Sequence, residues 1–191
     1  IHGDYQMSNP SYTINDRIAG AVWDHLERTL FAARLGFLSK SDRVIITSPY
    51  IRDIDNQHFI SRGPISDILT SAESRSYSKL TEILISIHRS GCKVGVMTAP
   101  FGKRFGKTNS QYNQDEDEML SKLISAGIEV RLHKTNHAKN IVTPVGVITG
   151  SFNNTNRALF WQIEQATIHN PPATQTRLTC IDIWDQGKIR K

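Results

Sequence analysis

Residues 137–153 read His-Ala-Lys-Asn-Ile-Val-Thr-Pro-Val-Gly-Val-Ile-Thr-Gly-Ser-Phe-Asn, and this stretch decides the fold prediction. Its β-branched residues predict two short strands, over 138–143 and 146–149. Pro144 marks the turn between them, because proline and the glycine that soon follows it are typical of tight connections. The stretch therefore predicts a β-hairpin with polar residues at its open end.

The polar side chains at that open end suit a bound phosphate. In extended backbone, residues i and i+2 point to one face, so His137 and Lys139 are expected to project together. Ser151 and Asn153 add neutral hydrogen-bonding groups, and Gly150 permits close approach of the backbone to a ligand. A nucleophile or base, a cation and two polar groups match a phosphate whose negative charge grows in the transition state.

A carboxylate farther along the chain completes the candidate site. Glu164 is the only acidic residue between Glu129 and Asp182. Its carboxylate is expected to hold the ring of His137 in the tautomer that exposes the other ring nitrogen. The candidate catalytic residues are therefore His137, Lys139, Ser151, Asn153 and Glu164.

Helices and strands alternate through the first two thirds of the chain. Apolar residues at helical spacing predict helices over 15–37, over 76–89 and from 115 onward, where Asp115–Glu118 would complement the helix dipole. Short β-branched runs predict strands over 43–50, 93–99 and 129–133. Irregular connections are expected over 51–75 and 100–113, and a frayed basic tail at Lys188, Arg190 and Lys191. The alternation predicts an α/β layered fold with a mixed sheet, and the length suits a single domain spanning 1–191.

Composition and charge narrow the classes of partner. The chain holds 23 Lys and Arg against 18 Asp and Glu, a net charge of +5. Residues 129–191 hold eight of these basic and four of these acidic residues, so this third alone carries +4. A concentrated positive charge favours an anionic partner. No apolar run approaches the ~20 residues needed to cross a bilayer, so no membrane partner is expected.

The cysteines and histidines do not predict a metal site. Cys92 and Cys180 are far apart and lack metal-binding spacing, which favours a reducing, cytoplasmic setting without a disulfide framework. His133 and His137 are four residues apart, but they fall in or beside a predicted strand and lack a third ligand. The chain begins at Ile1 and not at Met, which favours a fragment of a longer protein.

Together these motifs resemble the phospholipase D superfamily, whose signature is HxK, then GSxN after a spacer, then a downstream Glu. The matching residues are His137-x-Lys139, Gly150-Ser151-x-Asn153 and Glu164. Ile46-Thr-Ser-Pro-Tyr50 also resembles the first core strand of that family. The resemblance implies an α/β/α layered domain with a mixed central sheet, corresponding to one motif-bearing half of the two-motif enzymes.

The resemblance also implies a mechanism without metal or cofactor. One His137 would attack phosphorus and form a covalent phosphohistidine, while a second histidine would protonate the leaving oxygen and then activate water. Because the chain holds one HxK, the second histidine would come from a second copy in a twofold homodimer. Lys139 and Asn153 would hold the non-bridging oxygens, Ser151 would assist the phosphate or the ring, and Glu164 would orient His137.

One position departs from the family pattern. Where the family commonly carries the Asp of its HKD motif, this chain has Pro144. In the family that Asp usually supports the architecture and not the chemistry. The substitution therefore weakens a phospholipase interpretation more than a nuclease interpretation.

Further basic residues are candidates for substrate binding. Lys103, Arg104 and Lys107 are interleaved with two phenylalanines, a pattern typical of nucleic-acid contacts and also of a solvated loop. Arg157 is a weaker candidate for a phosphate contact. The leading hypothesis is an endonuclease that acts on DNA more readily than RNA, as part of a restriction or defence system. Two alternatives stay open: a phospholipid substrate, and a degenerate site that only binds nucleic acid.

Overall fold

The described part of the chain forms four helices and one sheet of eight strands. The computed structural model describes residues 11–12, 15–39, 41–54, 79–100, 110–155, 158–159, 164–170 and 174–190. In chain order the elements are β1 (Ser11–Tyr12), α1 (Asn15–Arg34), β2 (Arg43–Thr47), α2 (Leu80–Arg89), β3 (Lys93–Thr98), α3 (Ser110–Ser125), β4 (Glu129–Leu132), β5 (Asn140–Thr143), β6 (Gly146–Gly150), β7 (Ala166–His169), α4 (Thr174–Asp185) and β8 (Lys188–Ile189).

The sheet is mixed, as the sequence predicts. Its strand order is β1-β7-β6-β5-β2-β3-β4-β8. β2, β3 and β4 are parallel, and a crossover helix lies between each successive pair, as parallel strands require. β5 and β6 form the predicted hairpin, and β5 pairs antiparallel with β2. The hairpin that carries the candidate site therefore lies beside the central strand.

The two faces of the sheet are covered by different helices. In β2, Val44 and Ile46 pack in the large core formed with α1, α2 and α3. The intervening Ile45 points to the other face, where it packs with Cys180 and Trp184 of α4. Burial on both faces explains why the strand is an unbroken apolar run. The layering is α/β/α, as predicted.

The helical apolar stripes and stops agree with the sequence pattern. The stripe of α1 is buried at each predicted position, as is that of α2. Its members are Ile18, Val22, Leu26 and Leu30 in α1, and Leu80, Ile83, Leu84 and Ile87 in α2. Gly91 and Gly127 follow α2 and α3 with φ of +94° and +86°. This left-handed conformation ends helices and favours glycine.

The start of α3 differs from the prediction. The helix begins at Ser110, so Asp115–Glu118 lie inside it and not in its first turn. Two of these acidic residues, Glu116 and Glu118, instead interact with specific side chains. Glu116 is buried and accepts a hydrogen bond from Thr98 Oγ1 at 3.0 Å, and Glu118 pairs with Lys122 at 2.7 Å. The connection predicted over 100–113 is correspondingly shorter, and residues 101–109 lie outside the described part.

Lys188 and Arg190 are held against the sheet and not frayed, which corrects the prediction for these two residues, and Lys191 lies outside the described residues. Lys188 and Ile189 form β8, which pairs antiparallel with β4 at the edge of the sheet. The backbone N–H of Arg190 donates to Val130 O at 2.8 Å, and its guanidinium pairs with Asp117. An exposed strand edge with unpaired backbone groups explains why so short a segment is held.

A buried histidine beneath the hairpin makes the fold sensitive to acid. Nδ1 of His25 in α1 donates a hydrogen bond to Ala21 O at 2.9 Å. The other ring nitrogen, Nε2, is buried against Gly146 and has no hydrogen-bond partner among the described residues. Burial lowers the pKa of His25 below its ordinary 6.5, outweighing the opposing effects of Ala21 and Asp24.

The free energy of unfolding should therefore fall in acid. Below pH 6.5 the unfolded chain binds a proton at His25 that the folded chain resists, so stability declines as pH falls from 6.5 toward the lowered pKa. The expected slope from this group is at most about 1.4 kcal/mol per pH unit. Urea unfolding at several pH values would measure it. The slope should shrink in His25→Gln and persist in His133→Gln, whose histidine is not buried.

Candidate functional site

The β5–β6 hairpin brings the two halves of the motif together. Asn140 pairs with Thr149 in the register, and beyond that pair the N–H of Gly150 donates to Lys139 O at 3.2 Å. The strand begins at Asn140, two residues later than predicted, so His137 and Lys139 lie just before it. The hairpin still positions both, because the Gly150–Lys139 hydrogen bond continues the ladder to Lys139.

His137 and Lys139 are in direct contact. Lys139 Nζ lies 3.2 Å from His137 Nδ1 and donates to His137 O at 2.9 Å. The side chain of His137 is exposed. Asn136 shapes the backbone beside it, because its Oδ1 accepts a hydrogen bond from the N–H of Ala138 at 3.1 Å. Side chains i and i+2 meet here through a local turn and not through a regular strand.

The Lys139 contact sets the proton position on a neutral His137. An ammonium group only donates, so a Lys139–His137 hydrogen bond requires a lone pair on Nδ1 and leaves the proton on Nε2. Burial lowers the pKa of Lys139, and the negative charge of Glu164 partly restores it.

Ser151 links the motif strand to Glu164. Ser151 Oγ donates to Glu164 Oε2 at 2.5 Å and accepts from the N–H of Gln165 at 3.0 Å. The N–H of Ser151 in turn donates to Gln165 O at 2.9 Å. The hydroxyl is thus fixed by one donor and one acceptor, and the segment after residue 163 is fixed against the motif.

Close backbone approach explains the glycine of the motif. A Cβ on Gly150 would overlap the carbonyl oxygen of Gln165 and lie 3.0 Å from Ala166 Cα. Gly150 pairs with Ala166 where β6 meets β7. Phe152 is fully buried and separates Ser151 from Asn153, whose Oδ1 is buried without a hydrogen-bond partner among the described residues. The alternation leaves polar groups on either side of a buried anchor.

Pro144 occupies the opposite end of the hairpin from the site. Thr143 pairs with Gly146, so Pro144 and Val145 form a two-residue turn. Arg177 of α4 donates to Thr143 O at 2.6 Å and holds this turn. The residue that replaces the family Asp is therefore separated from Lys139 by the length of β5.

Four of the five candidate catalytic residues are joined by described contacts at the open end of the hairpin, as the His137–Lys139 and Ser151–Glu164 pairs. The hydrogen bond described for the Glu164 carboxylate is with Ser151, and the contact described for the His137 ring is with Lys139. Orientation of His137 by Glu164 stays a prediction. The candidate substrate-binding residues Lys103, Arg104, Lys107 and Arg157 lie outside the described residues.

Two residues near the site escaped the sequence pattern. Ser48 follows β2 and Asn154 follows the GSxN residues, and the N–H of Asn154 donates to Ser48 Oγ at 2.9 Å. They are separated by 106 positions, so no local spacing could link them. Ser48 lies within Ile46–Tyr50, the stretch that resembles the first core strand of the family, but nothing in the sequence links it to Asn154.

Metal-ligand clusters and membrane-spanning helices are absent from the described residues. No three His, Cys, Asp or Glu side chains come together there as a metal site would require. None of the described helices has the length and apolarity to cross a bilayer. Cys92 and Cys180 are buried free thiols, and burial raises the pKa of each to about 11.

Comparisons with solved structures match the fold. Nuc from Salmonella typhimurium, a phospholipase D family member, is 20% identical with a TM-score of 0.52, over 86% of this chain and 90% of that one. The archaeal chromatin protein TrmBL2, whose structure shows a mode of DNA binding, is 9% identical with a TM-score of 0.53. That match covers 100% of this chain and 56% of TrmBL2. Polyphosphate kinase from Porphyromonas gingivalis is 12% identical with a TM-score of 0.51, over 96% and 23% of the two chains.

Comparison with protein families identifies the superfamily. The chain has no match among curated protein sequences. The family model described as cardiolipin synthase, PLD-like domain, matches residues 64–181, which is more than half of the chain. The matched range contains the HxK and GSxN residues and Glu164. The chain therefore belongs to the phospholipase D superfamily and is an enzyme that acts on phosphodiester bonds.

Proposed function

We propose that this protein is a metal-independent endonuclease that cleaves DNA through a phosphohistidine at His137, in a site shared across a homodimer. The observation that carries the proposal is the contact of Lys139 Nζ with His137 Nδ1, beside the Ser151–Glu164 pair at the open end of the hairpin. An exposed imidazole, a partly buried cation and a fixed hydroxyl form a set of groups suited to a phosphodiester.

The resting contact gives Lys139 a second role. A bound phosphate offers its oxygens to Lys139, which draws the ammonium group away from His137 Nδ1. The ring proton then moves to Nδ1, and the Nε2 lone pair becomes available for attack. Substrate binding thereby produces the nucleophilic tautomer.

Two histidines complete the reaction. Nε2 of one His137 forms the P–N bond as the P–O bond to the leaving group breaks, and the protonated His137 of the second copy donates its proton to the leaving oxygen. That second imidazole then removes a proton from water, the water oxygen attacks phosphorus, and the P–N bond breaks. In both steps, Lys139 neutralises the charge on the non-bridging oxygens and Asn153 donates hydrogen bonds to them.

Charge and fold support DNA as the substrate. Residues 129–191, which carry the site, hold +4 of the net +5 charge. The fold is shared with TrmBL2, whose structure shows DNA binding. Lys103, Arg104, Lys107 and Arg157 are the proposed backbone contacts. The proposal also includes one catalytic domain over 1–191, a cytoplasmic location and a role in a restriction or defence system.

The metal-free mechanism predicts cleavage that survives chelation. A duplex or single-stranded DNA substrate should be cut at the same rate with and without excess EDTA. Gel analysis of end-labelled fragments measures the rate, and a metal-dependent nuclease in the same buffer serves as the control for chelation. Loss of all cleavage in EDTA would contradict the proposal, and DNA binding without cleavage would favour the degenerate binding module.

The shared site predicts that mixed dimers are inactive. If each site needs His137 from both copies, co-refolding equal amounts of wild type and His137→Gln should leave about a quarter of the wild-type activity per total protein. Independent sites would leave about half. Sedimentation at micromolar concentration should show twice the 21.5 kDa chain mass. A monomer that retains full activity would contradict the shared site.

A phosphatidyl substrate is the second candidate, favoured by the description of the family model as cardiolipin synthase. It would use the same histidine and lysine chemistry on a lipid phosphodiester. Incubation with phosphatidylglycerol vesicles, followed by lipid analysis, distinguishes the two. Product formed from the vesicles, with DNA left intact, would replace the nuclease proposal.

A further inference from the structure

We propose that Ser48 is a positioning residue that holds the GSxN segment in its working conformation. The inference rests on the proposed function, because it assumes that Ser151 and Asn153 contact the phosphate. Ser48 directly follows β2, and its hydroxyl accepts the N–H of Asn154, the residue directly after Asn153 of GSxN. The described hydrogen bonds of its hydroxyl are to backbone groups of Tyr50 and Asn154, so it would act through the backbone.

The backbone of Ser48 is anchored to the parallel part of the sheet. Its N–H donates to Met97 O of β3 at 3.0 Å, which extends the β2–β3 pairing by one residue. Only 1% of Ser48 is accessible to solvent. The backbone of Ser48 is therefore rigidly held, since β2 and β3 both lie in the middle of the sheet.

The hydroxyl of Ser48 reaches the motif segment. Ser48 Oγ accepts the N–H of Asn154 at 2.9 Å and donates to Tyr50 O at 2.5 Å. The N–H of Arg52 donates to Asn154 O at 2.9 Å, and Ile51 forms a parallel bridge with Asn154. Both backbone polar groups of Asn154 are thus bound by the segment 48–52.

Among the described residues, the side chain of Asn154 finds no hydrogen-bond partner that would hold the segment. Asn154 is 1% exposed, and neither its Oδ1 nor its Nδ2 has a hydrogen-bond partner within the described residues. Asn154 follows Asn153 directly, and Asn153 is the candidate phosphate ligand. The described backbone bonds that hold Asn153 in place are the one from the N–H of Thr155 to its own carbonyl, at 2.8 Å, and the two of Asn154, one of which is to Ser48.

Loss of the Ser48 hydroxyl should change the catalytic rate more than substrate binding. Without it, the N–H of Asn154 is buried and unpaired, and the segment shifts to find a partner. A shift of about 1 Å in a group that contacts the reacting phosphate can cost on the order of a hundredfold in rate. DNA backbone contacts elsewhere would be untouched. We therefore expect kcat to fall about tenfold to a hundredfold in Ser48→Ala, with KM changed less than about threefold.

The experiment compares four variants of the full chain. Ser48→Ala and Ser48→Cys remove the strong hydrogen bonds, and the cysteine keeps the volume nearly unchanged. Ser48→Thr retains a hydroxyl and should recover most of the rate. Ile87→Val in α2 lowers stability at a buried position away from the motif segment, and should leave kcat unchanged. If the hydrogen bond matters, kcat of Ser48→Cys should match that of Ser48→Ala, and kcat of Ser48→Thr should be near the wild-type value.

Amide hydrogen exchange, measured without substrate, separates this inference from the proposed function. Exchange should accelerate at residues 151–155 in Ser48→Ala and not in Ile87→Val, with the amides of β5 unchanged in both. Unchanged exchange at 151–155, or accelerated exchange with wild-type kcat, would overturn the positioning role.

A wild type without DNA cleavage would refute the nuclease proposal and leave the inference testable by phosphate binding. The probe is then inorganic phosphate, titrated while the amide shifts of Ser151 and Asn153 are followed. Weaker phosphate binding by Ser48→Ala than by Ile87→Val supports the positioning role. Equal phosphate binding by the two variants, or no phosphate binding by the wild type, overturns it.

Discussion

His137→Gln should cleave DNA at least about a thousandfold more slowly than the wild type, with KM nearly unchanged. Glutamine has about the reach of histidine, but its amide nitrogen is not a nucleophile and its side chain does not exchange protons near neutral pH. In the shared site, the substitution removes both the attacking ring and the ring that protonates the leaving oxygen. Single-turnover cleavage at saturating enzyme measures this chemical step directly.

The fold of the His137→Gln variant should be intact. The side chain of His137 is exposed, and its described contacts are with Lys139 alone. Surface substitutions of this kind usually change the free energy of unfolding by no more than about 0.5 kcal/mol. A thermal unfolding midpoint matching the wild type would therefore assign the loss of activity to the chemistry.

His133→Gln is the matched control, because it makes the same chemical change four residues earlier. His133 is held by its backbone N–H, which donates to Thr98 O at 3.0 Å, so its ring is dispensable for that contact. Its activity should equal that of the wild type. Equal losses in the two variants, or a fully active His137→Gln, would refute the phosphohistidine mechanism. Trapping radiolabelled phosphate on the wild type and not on His137→Gln would identify His137 as the residue that attacks phosphorus.

The sequence predicted the hairpin and the helix–strand order because these depend on local pattern. The strand β2 is a run of β-branched residues, and the stripes of α1 and α2 repeat at helical spacing over several turns. Helix α4 has no such stripe, since only Cys180 and Trp184 among its residues are buried. β7 has four residues and β8 has two, and each is stabilised by the strand beside it. Short elements of this kind cannot be read from spacing.

The candidate site was predictable where its residues are close in sequence. His137 and Lys139 meet through one turn, and Gly150 and Ser151 meet them through one hairpin. The pairing of Ser151 with Glu164 depends on how β6 meets β7, a register that the sequence pattern does not contain. Ser48 depends on contact across the whole sheet. The residues that carry chemistry were therefore visible, whereas those that position them were not.

Gly150→Ala should lower the free energy of unfolding by about 3 kcal/mol, at the upper end of what overpacking usually costs. The added Cβ would overlap Gln165 O and approach Ala166 Cα to 3.0 Å, and both obstacles are backbone atoms. Neither can rotate away, so β6 and β7 must separate. For a chain of this size the expected fall in Tm is about 6–12 °C. Urea or thermal unfolding measures the change.

Gly20→Ala provides the matched control, with the same substitution giving the opposite sign. Gly20 lies inside α1, and a Cβ there would meet no atom within 4 Å. Because glycine is a poor helix residue, its replacement should raise the free energy of unfolding by about 0.5–1 kcal/mol. Equal changes in the free energy of unfolding for the two substitutions would show that a Cβ at Gly150 is not crowded by the neighbouring backbone.

Activity separates a site effect of Gly150→Ala from simple unfolding. At a temperature where both variants stay folded, Gly20→Ala should cleave as the wild type does. Gly150→Ala should remain at least about tenfold slower, since small displacements of reacting groups carry large rate costs. Its separated strands would weaken the Gly150–Lys139 hydrogen bond and move Ser151 from Glu164. Full activity in folded Gly150→Ala would mean that the hairpin end does not carry the chemistry, because no phosphate site could tolerate that displacement.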